Sequence, residues 1–446
     1  STDNITTIFF IYKMNCIERS RLQLRPHQAK AIRYLFNNAD DIDGLLLVHP
    51  PGTGKTLTAV TASQCFLDID PEHEVIFVGP SSLINNFRKE LIAYGVKNEK
   101  RYKLYSYQKF LQTDEKQRDT ICKNNMLIVD EVHNLRNLNL RNKNQGKRSK
   151  SVLKCATKAR KRLLLTATPF VNDLSDFIPI VNYLYGKIMI QTKGDASTVK
   201  KLIPYLRDRV HFISVPRESK KEYPKFRERY VSIKMDKDYQ EDYCKIIKGD
   251  EVKGDFFHNP ESFYNAHRRA VNKIGRGQIY FSEKTKRALR LIGDKKTVIF
   301  SNWLDFGLNP IKKVLNDNGI KAEKFSGEMS QREKKKLVDD YNKNKFQVMI
   351  ISKSGMEGID LKEVRAVVVM DPVWNYAGIM QIRGRAIRYK SHENLPEEDR
   401  KVDIYYMILE TGVEDCKSGD TVVYNIVEEK KKSSKLVDKM LREASI

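Results

Sequence analysis

The sequence predicts an α/β fold, and three features carry that expectation. Short, wholly apolar runs recur along the chain: "LLLV" at 45–48, "MLIV" at 126–129, "LLL" at 163–165, then "TVIF", "VMII" and "AVVV" in the second half. Runs of this length without polar alternation suit strands buried on both faces of a parallel sheet. Stretches of helical period, such as "SQREKKKLVDDYNKN", separate them, which is the alternation of an α/β architecture. The third feature is "HPPGTGKTLTAV", a Gly-rich turn set between an apolar run and a helix-like stretch.

In chain order, "LRPHQAKAI" places Gln28 at a helix start, where an amide can read an adenine edge. The turn Pro51–Gly52–Thr53–Gly54 follows, and its two glycines take backbone angles that other residues resist. Its N–H groups and the N-terminus of the next helix face one point, which makes an anion site. Lys55 adds a point charge for β- and γ-phosphates, and Thr56 a hydroxyl for Mg²⁺. The first glycine of the G-x-x-x-x-G-K-[ST] pattern is replaced here by His49.

"MLIVDEVH" supplies the acids such a site needs. Asp130, at a strand's C-terminal end, can hold Mg²⁺ directly or through water, and Glu131 can act as general base toward water. "RLLLTATPFVND" places Thr166 and Thr168 at another strand tip, where open α/β sheets bind ligands. Late in the chain, "QIRGRAIR" offers Arg383, Arg385 and Arg388, any of which can serve a γ-phosphate as an arginine finger.

Composition narrows the partners. The 446 residues carry 81 Lys and Arg against 57 Asp and Glu, a net charge of +24, which favours a polyanion. No stretch of ~18 apolar residues is present, so no membrane span is expected. "TTIFFIYKM" near the start lacks the layout of a signal peptide. The six cysteines, Cys16, Cys65, Cys122, Cys155, Cys244 and Cys416, are scattered without zinc-ligand spacing. They are expected to be buried free thiols in a reducing compartment.

With these pieces in order, the chain resembles the superfamily 2 helicases and translocases, whose two RecA-like lobes close on ATP. "LTATPFVN" looks like the T-G-T-P-x-x-N stretch of the Swi/Snf-like branch. "SKSGMEGIDL…VVVMDPVWNYAGIMQIRGRAIR" looks like that branch's run from a Gly-rich loop through D-x-x-W-N to Q-x-x-x-R-x-x-R. The resemblance covers roughly Leu22 to Arg388. Within the branch the chain is similar to the ATPases of large cytoplasmic DNA viruses, the nucleoside triphosphate phosphohydrolase I and early transcription factor small-subunit type. It departs in places: Glu357 stands where DEAD-box RNA helicases usually carry Arg.

The resemblance implies an organisation: an N-terminal segment (1–20), an ATP-binding lobe (21–185), an inter-lobe linker with a helical, basic insert (186–285), a second lobe (286–428) and a C-terminal helix (429–446). It implies Gln28 for adenine, Gly54, Lys55 and Thr56 for phosphate and Mg²⁺, Asp130 for the metal and Glu131 for water. Gly358 and Asp360 join the nucleotide site, Asp360 at the ribose, and Arg385 and Arg388 are the fingers. Pro80, Ser81, Thr168, Ser301, Phe325, Ser326 and Ser354 fall where such proteins grip a nucleic-acid backbone, and Trp374 and Asn375 match the D-x-x-W-N element.

Three further stretches bear on nucleic acid and partners. Between Asn134 and Thr168 the chain has no Asp or Glu but many Lys and Arg. "NLRNLNLRNKNQGKRSK" reads there as a mobile loop offering Arg141, Lys143, Lys147 and Arg148 to phosphates. Phe256–Phe281 interleaves aromatics with Arg268, Arg269, Lys273 and Arg276, as a stacking surface or as an insert with its rings turned inward. At the end, Leu436, Val437, Met440 and Leu441 share a helical face that packs back on a lobe or docks a partner.

The functional expectation is an ATP-driven motor on nucleic acid, with duplex DNA favoured over RNA, in viral-type transcription. A strand-separating helicase and a nucleotide-switched transcription or packaging subunit are the alternatives. ATP and Mg²⁺ are the expected cofactors. A viral RNA polymerase or transcription factor is the expected protein partner, with the cytoplasm or a virion as location.

Overall fold

The computed structural model describes residues 16–37, 42–69, 72–135, 143–167, 174–213, 222–248, 263–274, 280–352, 359–373 and 376–446. The chain divides into two packed units, residues 1–216 with 432–446, and residues 217–431.

Unit 1 alternates helix and strand. In order it holds α1 (Pro26–Asn37), β1 (Gly44–Val48), α2 (Lys55–Ile69), β2 (Val75–Gly79), α3 (Ser81–Tyr94), β3 (Tyr102–Ser106), α4 (Tyr107–Gln112) and α5 (Glu115–Cys122). It continues with β4 (Met126–Asp130), α6 (Lys143–Lys158), β5 (Lys161–Thr166), α7 (Phe177–Tyr185), α8 (Val199–Leu206) and β6 (Val210–Phe212). The strands form one parallel sheet in the order β3-β2-β4-β5-β1-β6.

The apolar runs are explained by burial on both sides. Leu46 and Val48 of β1, with Leu127 and Val129 of β4, face one core. Leu45 and Leu47, with Met126 and Ile128, face the other. Each such side chain contributes roughly 2 kcal/mol by leaving water, so a charged residue on either face would be destabilising. Because every pairing is parallel, all strand C-termini lie along one edge of the sheet.

Unit 2 repeats the design with β7 (Lys225–Lys234), α9 (Lys237–Lys248), α10 (Phe263–Ala270), the hairpin β8 (Lys273–Ile274) and β9 (Tyr280–Phe281), α11 (Glu283–Ile292) and β10 (Thr297–Phe300). A π-helical turn, Leu304–Leu308, precedes α12 (Asn309–Asp317), β11 (Ala322–Phe325), α13 (Gln331–Asn342), β12 (Val348–Ile351), β13 (Ala366–Val369), α14 (Tyr376–Ala386) and β14 (Lys401–Glu410). The sheet order is β11-β12-β10-β13-β14-β7, again parallel. A capping box fixes the start of α13: Ser330 Oγ accepts from Glu333 N at 3.3 Å and Glu333 Oε2 accepts from Ser330 N at 2.8 Å. The edge strand β7 is exposed along most of its length, and Lys225, Arg227, Glu228 and Arg229 guard it against stray pairing.

The α/β expectation holds in both units: two parallel sheets flanked by helices, as in RecA-like lobes. Within residues 186–285, β6 joins the first sheet and β7 the second. The final helix, α15 (Gly419–Ala444), starts ten residues before the expected 429. Val437, Met440 and Leu441 are buried in the core of unit 1, so the helix end packs back on a lobe. Leu436, expected on the same face, is 49% exposed. Beyond the helix, Ser445 Oγ accepts from Phe212 N at 2.9 Å and Ile446 N donates to Val210 O at 3.0 Å, which covers the β6 edge.

Two further expectations are corrected. The cysteines are not free: Cys16–Cys65, Cys122–Cys155 and Cys244–Cys416 form disulfides. Partners 33 to 172 residues apart in sequence are brought together only by folding. The basic block is not simply a loop, since Lys143, Lys147 and Arg148 lie on α6. Ser149, Val152, Cys155 and Ala156 form the buried stripe of α6 at helical spacing. Small residues carry that stripe, so it does not stand out as an apolar period.

Candidate functional site

The Gly-rich turn joins β1 to α2. Gly52 and Gly54 both adopt positive φ, 78° and 84°, and Thr53 closes the turn by donating from Oγ1 to Pro50 O at 2.6 Å. A side chain on Gly54 would collide with Gln28 Nε2 at 2.4 Å. Gln28 is buried; it accepts from Arg25 N at 2.7 Å through Oε1 and donates to Gly54 O at 2.9 Å through Nε2. His27 Nε2 lies 3.0 Å from Thr53 O. The start of α1 therefore rests directly on the turn. Lys55 begins α2 and donates to His49 O at 2.8 Å, closing the turn on itself, with Thr56 half-buried beside it.

Asp130 and Glu131 sit on the same edge of this sheet, two strands away from β1. Asp130 is buried, and its carboxyl is pushed up to about 7 by burial and by the neighbouring Glu131, against the pull of Lys55. Its Oδ1 accepts from Glu131 N at 2.9 Å. Glu131 is half-buried and adopts φ 50°, with Oε2 3.3 Å from His133 Nδ1. His133 Nδ1 also lies 3.0 Å from Thr166 Oγ1 at the tip of β5. Asp130, Glu131, His133 and Thr166 are thus one contiguous polar edge.

In unit 2, Arg388 pairs with Asp360 at 3.2 Å and donates from Nε to Gly384 O at 3.0 Å. Arg385 is half-buried on α14. Arg383 is engaged elsewhere, 3.6 Å from Glu228 and over the Phe226 ring at 4.9 Å.

The expected nucleic-acid contacts divide. Pro80 and Ser81 stand at the tip of β2 and the start of α3, with Ser81 exposed. Lys147 is exposed on α6, and Arg148 donates to Gln108 Oε1 at 2.7 Å. The Ser301 side chain is wholly buried and donates to Asp371 Oδ2 at 2.5 Å. Phe325 lies in the core, and Ser326 beside it is buried. These three side chains are packed inside unit 2 rather than offered to solvent. Arg268 and Arg269 lie over Trp303 at 5.3 and 4.8 Å, so these cations of the insert stack on the protein's own ring. Arg141, Thr168, Ser354, Glu357, Gly358, Trp374 and Asn375 lie outside the described residues.

The sequence pointed to neither Tyr107 nor His211. Tyr107 donates to the Asp130 and Glu131 carbonyls, and His211 of β6 meets His49 at 2.7 Å. Tyr107 reaches the site from the start of α4 and His211 from β6, and no local pattern marks them.

Fold and site together define an NTP-hydrolysing enzyme of the helicase class. Family models agree: "Type III restriction enzyme, res subunit" matches residues 21–171, and "Helicase conserved C-terminal domain" matches 283–390. A protein of Acanthamoeba polyphaga mimivirus, described as a candidate ATP-dependent RNA helicase, is 31% identical over 86% of this chain and 88% of its own. Nucleoside triphosphatase I of Melanoplus sanguinipes entomopoxvirus is 24% identical over 97% of this chain and 80% of its own. A solved structure, the Sulfolobus solfataricus SWI2/SNF2 ATPase core in complex with dsDNA, aligns over 96% of this chain and 98% of that one, with TM-score 0.43 and 17% identity. The chain belongs to the superfamily 2 helicases and is similar to the viral nucleoside triphosphatase I proteins. Among the described residues no helix is long and apolar enough to cross a membrane.

Proposed function

We propose that this chain is an ATP-dependent nucleic-acid motor that couples hydrolysis to movement along DNA, duplex DNA being favoured, in viral-type transcription. The observation that carries the reading is the placement of the Gly-rich turn and the Asp130–Glu131 pair on one edge of one parallel sheet. Phosphates would rest on the turn's N–H groups and on Lys55, and Gln28 would read adenine. Asp130 fits a cation: burial and the adjacent Glu131 raise its carboxyl, and a bound Mg²⁺ beside the two acids would offset both effects. Thr56 and Asp130 would hold that ion, which supplies charge neutralisation on the phosphates. Glu131 would orient and deprotonate the attacking water. Asp360 and Gly358 would complete the nucleotide site, and Arg385 and Arg388 would stabilise charge on the transferred phosphoryl group.

The partner follows from charge. A net +24 and the acid-free stretch on which α6 lies favour a phosphate backbone, with Pro80, Ser81, Lys147 and Arg148 as surface contacts. Residues 21–185 are the proposed ATP-binding lobe and 286–428 the second lobe, and a viral polymerase or transcription factor is the proposed protein partner, in the cytoplasm or a virion. The test is the ATPase rate with no nucleic acid, single strands, duplex DNA and duplex RNA. Stimulation by duplex DNA above the rest supports the reading, and equal rates in all four overturn it. Triplex displacement without strand displacement separates a translocase from an unwinding helicase.

A further inference from the structure

The loop after β4 holds one residue in an uncommon backbone conformation. Glu131 is held in the left-handed backbone region at φ 50°, a conformation that a non-glycine residue adopts only when its surroundings impose it. The loop is restrained from three sides. Asp130 Oδ1 takes the Glu131 N–H, and the Glu131 carbonyl accepts from Asn134 N at 2.9 Å. Downstream, Val132 is fully buried and His133 is held at Thr166. The remaining restraint comes from the start of α4. The Tyr107 hydroxyl donates to Asp130 O and lies 3.2 Å from Glu131 O, so one phenol spans both carbonyls of the turn.

The path of that contact is built into the sheet. Tyr107 follows Ser106, the last residue of β3, and β2 lies between β3 and β4. Ser106 is in register with Gly79, the last residue of β2. A side chain at Gly79 would begin 3.3 Å from the Asp130 Cβ, so the bare tip of β2 leaves this region open. The ring of Tyr107 is 8% exposed and packs in the core of unit 1. Its neighbour Gln108 accepts from Arg148 of α6.

We propose that Tyr107 is a positioning residue for hydrolysis: its hydroxyl fixes the Asp130–Glu131 peptide so that the Glu131 carboxylate meets the attacking water. The proposal rests on the reading of Glu131 as the group that activates water. Tyr107→Phe keeps the ring in the core and removes only the hydroxyl. It lowers kcat on the order of 10-fold or more, because small displacements of a reacting group are costly. KM for ATP, binding of a fluorescent ATP analogue and the melting temperature stay at wild-type values, since the Gly-rich turn and the packing are intact. Gln108→Ala, which breaks the link to Arg148 and leaves the hydroxyl in place, keeps the basal kcat.

Glu131→Gln is measured beside them. If it retains turnover, the assignment of Glu131 fails and the proposal fails with it. If it is inactive while Tyr107→Phe turns over at the wild-type rate, the positioning role alone is overturned. A fall in kcat matched by a fall in melting temperature, or shared equally by Gln108→Ala, assigns Tyr107 to packing and also overturns the role.

Discussion

The Nε2 atom of His49 lies 2.7 Å from Nδ1 of His211, ring to ring, inside unit 1. One residue begins the Gly-rich turn and the other sits on β6 beside β1. Both imidazoles are held neutral. Burial lowers His49 far below its ordinary value, with His211, Lys55 and His27 adding repulsion, and burial with Lys30 and His27 brings His211 down to about 4.

The sign of the pH effect follows. Below about 6.5 the unfolded chain takes up protons at these sites, while the native His211 stays neutral until about 4. The contribution of the pair to stability is therefore fully present above pH 6.5 and is lost as the pH falls toward 4. Asp130, raised to about 7, works in the opposite sense over part of this range, so the readout is the difference between wild type and His211→Asn. Denaturant midpoints at pH 7.5, 6.0 and 5.0 should show the wild type losing more than the variant. Parallel curves would mean that the pair is not buried and neutral.

The three disulfides predict that non-reducing peptide mapping recovers the 16–65, 122–155 and 244–416 cross-links, with no cysteine alkylated before reduction. Loops of this size are typically worth 2–4 kcal/mol each, so reductant should lower the unfolding midpoint. Quantitative alkylation of the native protein would show free thiols instead.

Lys55→Ala and Glu131→Gln should both abolish hydrolysis and differ in binding. The first removes a phosphate contact, and ATP affinity falls. The second leaves the phosphate contacts in place, and ATP stays bound. Titration with a non-hydrolysable analogue separates them, and equal affinities in the two variants would contradict the assignment.

Arg385→Ala or Arg388→Ala should reduce turnover by about 10³-fold, the scale of an arginine finger. Circular dichroism should be unchanged, although Arg388→Ala also releases Asp360. Wild-type turnover in both variants would remove the second unit from the chemistry.

Neutralising Arg141, Lys143, Lys147 and Arg148 together should weaken duplex binding across sequences. It should also flatten the salt dependence, by about 0.9 in log–log slope for each DNA phosphate that the protein no longer neutralises. Basal hydrolysis should fall less than the stimulated rate. A titration at three salt concentrations decides it, and an unchanged slope would point away from α6.

What was legible in the sequence was local. A Gly-rich turn between an apolar run and a helix can be read from Leu45 to Val60, because backbone freedom and phosphate chemistry act over adjacent residues. Asp130 and Glu131 were legible for the same reason, as acids closing a run too apolar for anything but a buried strand. Doubly buried strands themselves were legible because Leu45 to Val48 carry no polar alternation, and the structure divides them between two cores. The helix of α6 was harder to see, since Gly146, Ser149, Cys155 and Ala156 fill its inner side with little hydrophobic contrast.

Only the tertiary structure decided the rest. It paired Cys244 with Cys416 across 172 residues, and it set His211 against His49 across 162. It carried Tyr107 past the bare tip of β2 to the carbonyls of Asp130 and Glu131. It also turned Ser301 inward to Asp371. Each of these depends on strand order and register, which are set by which faces bury together over the whole sheet. No short stretch of sequence specifies that sum, so the motif residues could be picked out one at a time and their structural support could not.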